Sequence, residues 1–478
     1  MTPDDRDETL LEDTAFAVDP VRADSESLDD ENRLKPDFVR RVRDALEAGE
    51  NDAVYDLVEP LHPADIADLF ELLHADERPA LAKAISDQLS GDVIAELNDH
   101  VRELLVESLP AETIAEIAEQ LETDDAVAMI EDLDEEDQQA VLAEMEPEDR
   151  AAIESALSYP EETAGRIMSR DLIAAPEHMT VGDLIDYLRE DFYLPTEFWE
   201  VFIVDPGHRP LGTCALSWIL RTPRYVKLTD VMKRDQTLIP VTMDQEEVAL
   251  RFQKYALISA AVVDEAGRLV GQITVDDVVH IIQEEAGEDA LLLSGAGEGD
   301  INEPIRDSYF ARVRWLIANL LTATVASAVI ASFEDVIARM VALATLMPIV
   351  AGLGGNAGTQ TLAVTVRALA TNQLIATNAW RAVRRELAIA LLNGATVAVV
   401  VGIAVSLIFG NLMLGGVIAA AMLVNIVIAG LAGVFVPLTL ERMKVDPAIS
   451  SSVFVTMTTD SMGFLVFLGL ASLSGLTG

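Results

Sequence analysis

The sequence predicts a multidomain membrane protein with an all-α superhelical N-domain, a tandem pair of α/β repeats and an α-helical transmembrane domain of five helices. Three observations predict this order. Apolar residues recur every 12 residues in the first third, strand and helix patterns alternate in the middle, and long charge-free stretches fill the last third. We place these parts at residues 36–160, 161–285 and 312–478, with a disordered acidic tail at 1–35 and a connecting (plug) helix at 286–311.

The chain separates its charges from its hydrophobic residues. Of 478 residues, 50% are hydrophobic, yet the net charge is −48. Residues 307–478 contain seven acidic and nine basic residues, so nearly all of the negative charge precedes them. So acidic a surface repels phosphate backbones and excludes nucleic acid as a partner. We attribute most of the acid to adaptation to a salty, halophilic cytoplasm and a few carboxylates to specific cations.

Two further features limit the class of protein. The single cysteine, Cys214, allows neither a disulfide framework nor a cysteine-based metal site. The acidic start lacks the pattern of a signal peptide, so we expect the N-terminal half to stay in the cytoplasm. The sequence has no nucleophile–base set and no phosphate-binding loop, so we expect a protein that is not an enzyme.

A repeat of 12 residues organises residues 36–160. Its positions are occupied by Leu61, Leu73, Ile85, Leu97, Leu109, Leu121, Leu133 and Met145. Most copies precede a short acidic or proline-containing segment of the kind that begins a helix. The pattern predicts a stack of short helices. His62, His74 and His100 have no metal-ligand spacing within it, and we interpret them as structural.

Two strand–helix units follow, and they resemble a tandem pair of CBS domains. The first has a helix at 181–188 and a strand at 201–204, and the second has a helix at 246–255 and a strand at 261–264. In the second unit, Gly271, Thr274 and Asp277 match positions at which such domains hold an adenosine ribose. The first unit has Ser217 and Trp218 where a Thr and an Asp are expected. The resemblance therefore implies at most one nucleotide site, and a pair without a ligand is the alternative.

Four hydrophobic stretches in the last third predict five membrane-spanning helices. They cover residues 315–333, 340–366, 387–440 and the region that follows Pro447. As a helix the third is about 80 Å long, too long for one crossing, so we expect it to break near Gly410 and Asn411. Most loop arginines and lysines then lie on the cytoplasmic side with the N-terminus, and the C-terminus lies outside.

Asp460 is the one charged residue between Pro447 and Gly478. It lies roughly 21 Å along the helix from Asp446, near the middle of a bilayer core that is about 30 Å thick. A carboxylate is costly at that depth unless it faces an ion, water or a charged partner. We therefore predict a functional site, with a protonated Asp460 or a pair with a buried basic residue as the alternative.

Residues on the second and fifth spans complete the predicted pathway. The pore-lining candidates are Gly354, Gly355, Gly358, Gln360, Ser452, Thr456 and Gly463, with Asn356 on the face of Gln360. The glycines also fit close helix packing. Together these side chains offer oxygen ligands, which suit hard cations such as Mg2+ rather than zinc or copper. One carboxylate per chain predicts a homodimer with the ion near its symmetry axis, because two carboxylates repel without an ion between them.

Over residues 36–478 the chain resembles the MgtE family of magnesium transporters. The resemblance rests on the domain order and on the motifs Arg314-Trp315, Gly354-Gly355-Asn356-Ala357-Gly358-Thr359-Gln360, Asp446-Pro447-Ala448 and Thr458-Thr459-Asp460 with Gly463. It implies a homodimeric, Mg2+-selective channel in the lipid of the cell membrane. Asp460 and Asn356 would hold hydrated Mg2+, and Asp446 would be a further metal ligand. Relatives can have Asn-Pro where this chain has Ser452-Val453, so we expect part of the inner pore mouth to differ.

The resemblance also implies regulation by cytoplasmic Mg2+. In the family, Mg2+ binds between the acidic N-domain, the CBS pair and the connecting helix and closes the pore. The matching positions are Glu284, Glu285, Glu288 and Asp289. ATP at the CBS pair is the second implied ligand. The alternatives are a proton- or sodium-coupled carrier that uses Asp460 as its coupling group, and a nucleotide-sensing membrane protein that does not transport.

Overall fold

The computed structural model describes residues 27–476 except 108, 132, 191–193, 196–197, 295–304 and 376. The chain packs as two units. The first is Met1–Asp244 with Ser259–Ile273, and the second is Gln245–Ile258 with Thr274–Gly478.

Short helices form the first part of unit one. They are α1 (Pro36–Ala48), α2 (Asn51–Val58), α3 (Pro63–Leu72), α4 (Arg78–Ala84), α5 (Gly91–Ala95), α6 (Asp99–Val106), α7 (Ala111–Ala118), α8 (Thr123–Glu131), α9 (Glu135–Glu144) and α10 (Pro147–Leu157). The repeat residues Leu73, Leu97, Leu133 and Met145 are buried just beyond the ends of α3, α5, α8 and α9. The predicted stack of short helices is confirmed.

The helical domain begins earlier than the sequence predicts. Leu28 and Leu34 form an antiparallel β-bridge and are 6% and 7% exposed. They belong to the same apolar core as Phe38 and Val42. The prediction of a disordered tail is therefore wrong for residues 28–34, because their leucines find a core to pack against. The tail's residues 1–26 lie outside the described residues.

The α/β repeats continue the chain. Their elements are β1 (Ala174–Pro176), α11 (Val181–Glu190), β2 (Glu200–Val204), β3 (Pro210–Ala215), α12 (Leu216–Arg221), α13 (Leu228–Val231), β4 (Leu238–Pro240), α14 (Gln245–Tyr255), β5 (Ser259–Val263), β6 (Leu269–Thr274) and α15 (Val275–Ser294). Both sheets have three strands, in the orders β1-β2-β3 and β4-β5-β6. The first pair of each sheet is parallel, which requires the crossover helices α11 and α14. Ser169 and Gln272 exchange backbone hydrogen bonds of 2.9 and 2.8 Å and so join the two repeats.

One segment before β1 holds both ends of α8. Oδ2 of Asp171 accepts hydrogen bonds from the N–H and the hydroxyl of Thr123, at 3.1 and 3.2 Å, where α8 begins. At the other end, Arg166 pairs with Glu131 at 3.2 Å. The carboxylate satisfies an N–H that has no partner within the helix, and it complements the positive end of the helix dipole.

Unit two contains the apolar helices. They are α16 (Ile305–Ala331), α17 (Glu334–Arg339), α18 (Ala342–Ala370), α19 (Ala379–Phe409), α20 (Leu412–Arg442) and α21 (Pro447–Leu473). Of the described residues, four stretches are long and apolar enough to cross a membrane: Ser308–Ala331, Ala379–Phe409, Leu412–Arg442 and Ser452–Leu473. Helix α18 is long enough but is less apolar, because glycine, threonine, Asn356 and Gln360 interrupt it. The fifth crossing therefore stays a prediction.

The long charge-free stretch breaks where the sequence predicts. Gly410 has a left-handed φ of 59° and ends α19. Asn411 then caps α20, because its Oδ1 accepts hydrogen bonds from the N–H groups of Met413 and Leu414 at 3.0 and 3.1 Å. Helix α20 is half buried against α18, α19 and α21, so it is the centre of this unit.

The connecting helix has different bounds from those predicted. Helix α15 starts at Val275, within the second repeat, and runs unbroken to Ser294, so the predicted boundary at residue 286 falls inside it. The next described helix, α16, begins at Ile305 rather than at residue 312. The sequence does not mark the first boundary, because an acidic helix end and an acidic connecting helix have the same composition.

Candidate cation pathway

Helix α21 places Asp460 in the middle of an apolar helix. The helix begins at Pro447, and Oδ1 of Asp446 caps it by accepting a hydrogen bond from the N–H of Ala448 at 2.8 Å. Asp460 lies some four turns further on and is partly exposed. Within the described part of the chain, its carboxylate has neither a hydrogen bond nor an ion pair. The alternative of a pair with a buried basic residue therefore finds no support in this structure.

Helix α18 has an open face and a packed face. Asn356 and Gln360 are exposed on the open face, and Gly355 beside them has no atom within 4 Å of the place where a side chain would start. On the packed face, a methyl group at Gly358 would lie 2.6 Å from Cγ1 of Val455 on α21 and 3.3 Å from Cγ2 of Thr459. The two helices therefore touch next to Asp460.

The buried glycines correct the predicted pore lining. Gly354, Gly358 and Gly463 are buried against neighbouring helices of the same chain, so their role is close packing rather than lining. Thr456 is exposed and Ser452 is partly exposed, one and two turns before Asp460. The open polar side chains of the two helices are therefore Asn356 and Gln360 on α18 and Ser452, Thr456 and Asp460 on α21, and we call this set the polar strip.

Two buried polar residues escaped the sequence analysis. Asn425 of α20 is 0% exposed, and its Nδ2 donates a hydrogen bond of 3.0 Å to the main-chain oxygen of Val350. Glu386 of α19 is 7% exposed and pairs with Arg385 at 2.5 Å. Asn425 is one of three asparagines in the long charge-free stretch, with Asn393 and Asn411, and Glu386 is the charge that borders this stretch. The position of Glu386 is a signal in the sequence, whereas nothing in the sequence separates Asn425 from the other two asparagines.

The acidic residues of α15 are spread along the helix. Oε1 of Glu285 accepts a hydrogen bond of 2.7 Å from Nε2 of Gln245, while Glu284 and Glu288 are exposed. The side chain of Asp289 lies outside the described residues. In the described part of the chain, no group of three or more His, Cys, Asp or Glu side chains is arranged to hold a metal ion. The Mg2+-sensing role of these carboxylates stays a prediction.

The end of α15 meets the helices of the polar strip. Leu292 and Leu293 pack against an apolar cluster of α18 and α21, formed by Leu362, Val366, Ala448 and Val455. One helix therefore starts in the second α/β repeat and ends against the helices that carry Asn356 and Asp460. A change at its acidic middle has a direct mechanical path to those two helices.

The predicted nucleotide residues are placed as follows. Oδ2 of Asp277 accepts hydrogen bonds from the N–H and hydroxyl of Thr274, at 3.2 and 2.7 Å, in the first turn of α15. Burial raises the pKa of Asp277 above the usual value. Gly271 has no room for a side chain, since a methyl group there would lie 2.7 Å from Sδ of Met168. In the first repeat, Trp218 is exposed on α12.

The helical bundle with its polar strip, attached to a helical domain and an α/β pair, defines a membrane transporter with a regulatory region. Three family profiles match: "MgtE intracellular N domain" at residues 61–162, "CBS domain" at 228–284, and "MgtE: Divalent cation transporter" at 347–470. The CBS match covers the second repeat, the one that fits the pattern better by sequence. The chain belongs to the MgtE family of divalent cation transporters.

Individual relatives agree with this assignment. The chain is 31% identical over 323 residues to the magnesium transporter MgtE of Bacillus subtilis, and this alignment covers 67% of this chain and 71% of the relative. It is 32% identical over 327 residues to the MgtE of Thermus thermophilus, which covers 67% and 72%. Among solved structures, the cytosolic domain of the Mg2+ channel MgtE in complex with ATP is 27% identical, covers 51% of this chain and 99% of that one, and has a TM-score of 0.47.

Proposed function

We propose that this protein is a Mg2+-selective channel of the cell membrane, with the ion passing along the polar strip of α18 and α21. The observation that carries the proposal is Asp460, a carboxylate in the middle of an apolar helix without a basic partner among the described residues. A hydrated divalent ion offsets the cost of that charge. Mg2+ keeps most of its waters and takes one or two carboxylates, so a strip of amides and hydroxyls suits it.

The channel that we propose is a homodimer. One chain offers a single carboxylate on an open strip, and a strip that is open within the chain needs a second wall to enclose an ion. A symmetry-related copy supplies that wall and a second Asp460. Two such carboxylates repel each other unless a divalent ion lies between them, which makes occupancy of the site selective for charge. Asn356 adds an amide in the middle of α18, and Asp446 adds a carboxylate at the start of α21.

We further propose that cytoplasmic Mg2+ closes this channel through α15. Carboxylates at Glu284, Glu285, Glu288 and Asp289 repel one another, and Mg2+ bound among them relieves that repulsion. The closing force reaches the membrane through Leu292 and Leu293, whose contact with α18 and α21 supports this coupling. In this arrangement the N-terminal half is cytoplasmic and five crossings place the C-terminus outside.

ATP is the second ligand that we propose, at the second CBS repeat. Asp277 and Thr274 form a hydrogen-bonded pair at the start of α15, and such a carboxylate accepts hydrogen bonds from ribose hydroxyls. The proposed nucleotide thus contacts the same helix whose far end touches α18 and α21. We expect its effect to be on the Mg2+ sensitivity of closure rather than on conduction itself.

The test compares Mg2+ uptake by wild type, Asp460→Ala and Asp460→Asn. In reconstituted vesicles we expect flux driven by the Mg2+ gradient and membrane potential, and a fall of at least about 100-fold in both variants, since the carboxylate that attracts the ion is lost. Asp335→Asn is the matched control, because it removes an exposed carboxylate from α17 of the same unit. Equal uptake by Asp460→Ala and wild type contradicts the proposal. Uptake that follows a proton or sodium gradient instead supports a coupled carrier.

A further inference from the structure

The side chain of Asn425 lies between the two helices of the proposed pathway. A side-chain carbon at Gly354 of α18 would overlap Nδ2 of Asn425. A side-chain carbon at Gly463 of α21 would lie 2.7 Å from Nδ2 and 3.1 Å from Oδ1. The two glycines therefore form a notch that fits one carboxamide, and we call it the Asn425 notch. In each case glycine is needed for close approach and not for an unusual φ.

One hydrogen bond fixes the orientation of this amide. Nδ2 of Asn425 donates to the main-chain oxygen of Val350 at 3.0 Å. A main-chain carbonyl only accepts, so the atom that faces it is the nitrogen, and Oδ1 is left as an acceptor. Within the described residues, Oδ1 is buried and has no hydrogen-bond partner. A buried carbonyl oxygen without a partner is destabilising, and its usual partner in such a place is a water molecule.

A second polar atom in this region has the same property. The hydroxyl of Ser461, the residue after Asp460, is buried and has no partner among the described residues. An apolar residue at either position would remove the cost of burying a polar atom. The helices that pack around Asp460 thus carry two buried oxygens without a hydrogen-bond partner among the described residues.

We propose that Asn425 is a positioning residue of the ion pathway, an inference that rests on the proposed function. Through Val350 it ties α20 to α18, and by filling the notch it sets the distance from α18 to α21. Gly354 is two residues from Asn356, and Gly463 is three residues from Asp460. The carboxamide thus fixes how far apart the two helices that carry the ion-facing groups stand. Selectivity for a hydrated ion depends on that distance.

The test separates the hydrogen bond from the packing. Asn425→Ala removes both, and Asn425→Ala combined with Gly463→Ala returns a methyl group to the notch. The flux ratio of Mg2+ to Mn2+, measured in vesicles, reports the distance across the pathway, and the thermal midpoint reports packing. We expect both variants to lower the ratio about tenfold, the factor that corresponds to one hydrogen bond. We expect the double variant to regain most of the thermal midpoint but not the ratio.

The matched control is Asn411→Ala. It removes another amide of α20, with two hydrogen bonds, at the helix start and outside the notch. We expect it to lower the thermal midpoint and to leave the ratio unchanged. If Asn425→Ala does not fold, Asn425→Ser takes its place, since its hydroxyl is too short to reach Val350 and a lowered ratio is expected again. A wild-type ratio in the folded variants overturns the positioning role.

The two proposals fail in different ways. If the wild type carries Mg2+ and Asp460→Ala does not, the channel proposal is supported, whatever the result for the Asn425 variants. With that flux present, an unchanged ratio in the Asn425 variants overturns the positioning role alone. Absence of Mg2+ flux in the wild type overturns both proposals.

Discussion

Gly433 provides a stringent test of how α20 packs on α18. A methyl group at this position would lie 2.8 Å from Cβ of Thr361, 2.9 Å from the main-chain oxygen of Gly358 and 3.0 Å from the main-chain nitrogen of Leu362. Two of these atoms belong to the backbone, so no side-chain rotation relieves the contact. Gly433→Ala therefore pushes α20 away from α18 over the turn that carries Gly358.

The change in the free energy of unfolding caused by Gly433→Ala is the sum of two opposed contributions. Overpacking of this kind costs about 1–3 kcal/mol, whereas alanine in place of glycine inside a helix contributes about 1 kcal/mol in favour of folding. Gly416→Ala is the matched control, because Gly416 is exposed on the same helix and has no atom within 4 Å of the added methyl group. The difference between the two variants isolates the overpacking contribution of about 1–3 kcal/mol, which lowers the midpoint of Gly433→Ala relative to that of Gly416→Ala.

The assay is thermal unfolding of the purified full chain at one fixed heating rate, followed by the fraction that remains monodisperse. A fixed rate is needed because unfolding of a membrane protein is generally irreversible and its midpoint depends on the rate. We expect Gly416→Ala at or above the wild-type midpoint and Gly433→Ala below it. Equal midpoints for the two variants would refute the close packing of α20 on α18.

Two further predictions concern unit one. Burial raises the pKa of the Cys214 thiol to about 11, so the folded state holds this proton more tightly than the unfolded state. Its contribution to stability, about 2–3 kcal/mol, is present below pH 9 and is lost as the pH rises towards 11, so roughly half of it is lost at pH 10. Urea unfolding at pH 7 and pH 10 measures that loss, and rapid reaction of the native thiol with a disulfide reagent at pH 7 contradicts it. Asp171→Ala removes the cap of Thr123 at the start of α8 and should cost about 1 kcal/mol, seen as faster amide exchange in the first turn of α8. Asp205→Ala, which removes an exposed turn carboxylate in the same unit, is its control, and equal exchange in the two variants is the contrary result.

The parts of this fold that the sequence predicts are those that depend on local sequence patterns. The 12-residue spacing predicts the short helices because most repeat residues are buried just beyond a helix end, as Leu73 and Met145 are. Gly410 and Asn411 mark the break between α19 and α20 because one adopts a left-handed φ and the other caps a helix. Both signals lie within a few residues along the chain. No tertiary contact is needed to recognise either of them.

The site was predicted only in part, because position on a helix face does not say what lies opposite. Asp460 was recognisable from its charge in an apolar helix. The glycines of α18 were not separable by sequence: Gly355 is open, whereas Gly354 and Gly358 pack against neighbours. Asn425 was missed because nothing near it in sequence is polar, and its importance comes from Gly354 and Gly463, which are distant along the chain. Such residues become visible only when the helices are placed together.

The packing of α15 supports the proposed regulation of the ion pathway without a separate linker. The helix that bears the acidic residues belongs to the same packing unit as α18 and α21. Glu284 and Glu288 in its acidic middle are exposed, and its end is apolar and packs through Leu292 and Leu293. Binding of a divalent ion at the exposed part therefore changes the free energy of an element whose other end touches the pathway helices. A rigid helix can pass a change at its acidic middle on to the helices that contact its end, whereas a flexible loop cannot.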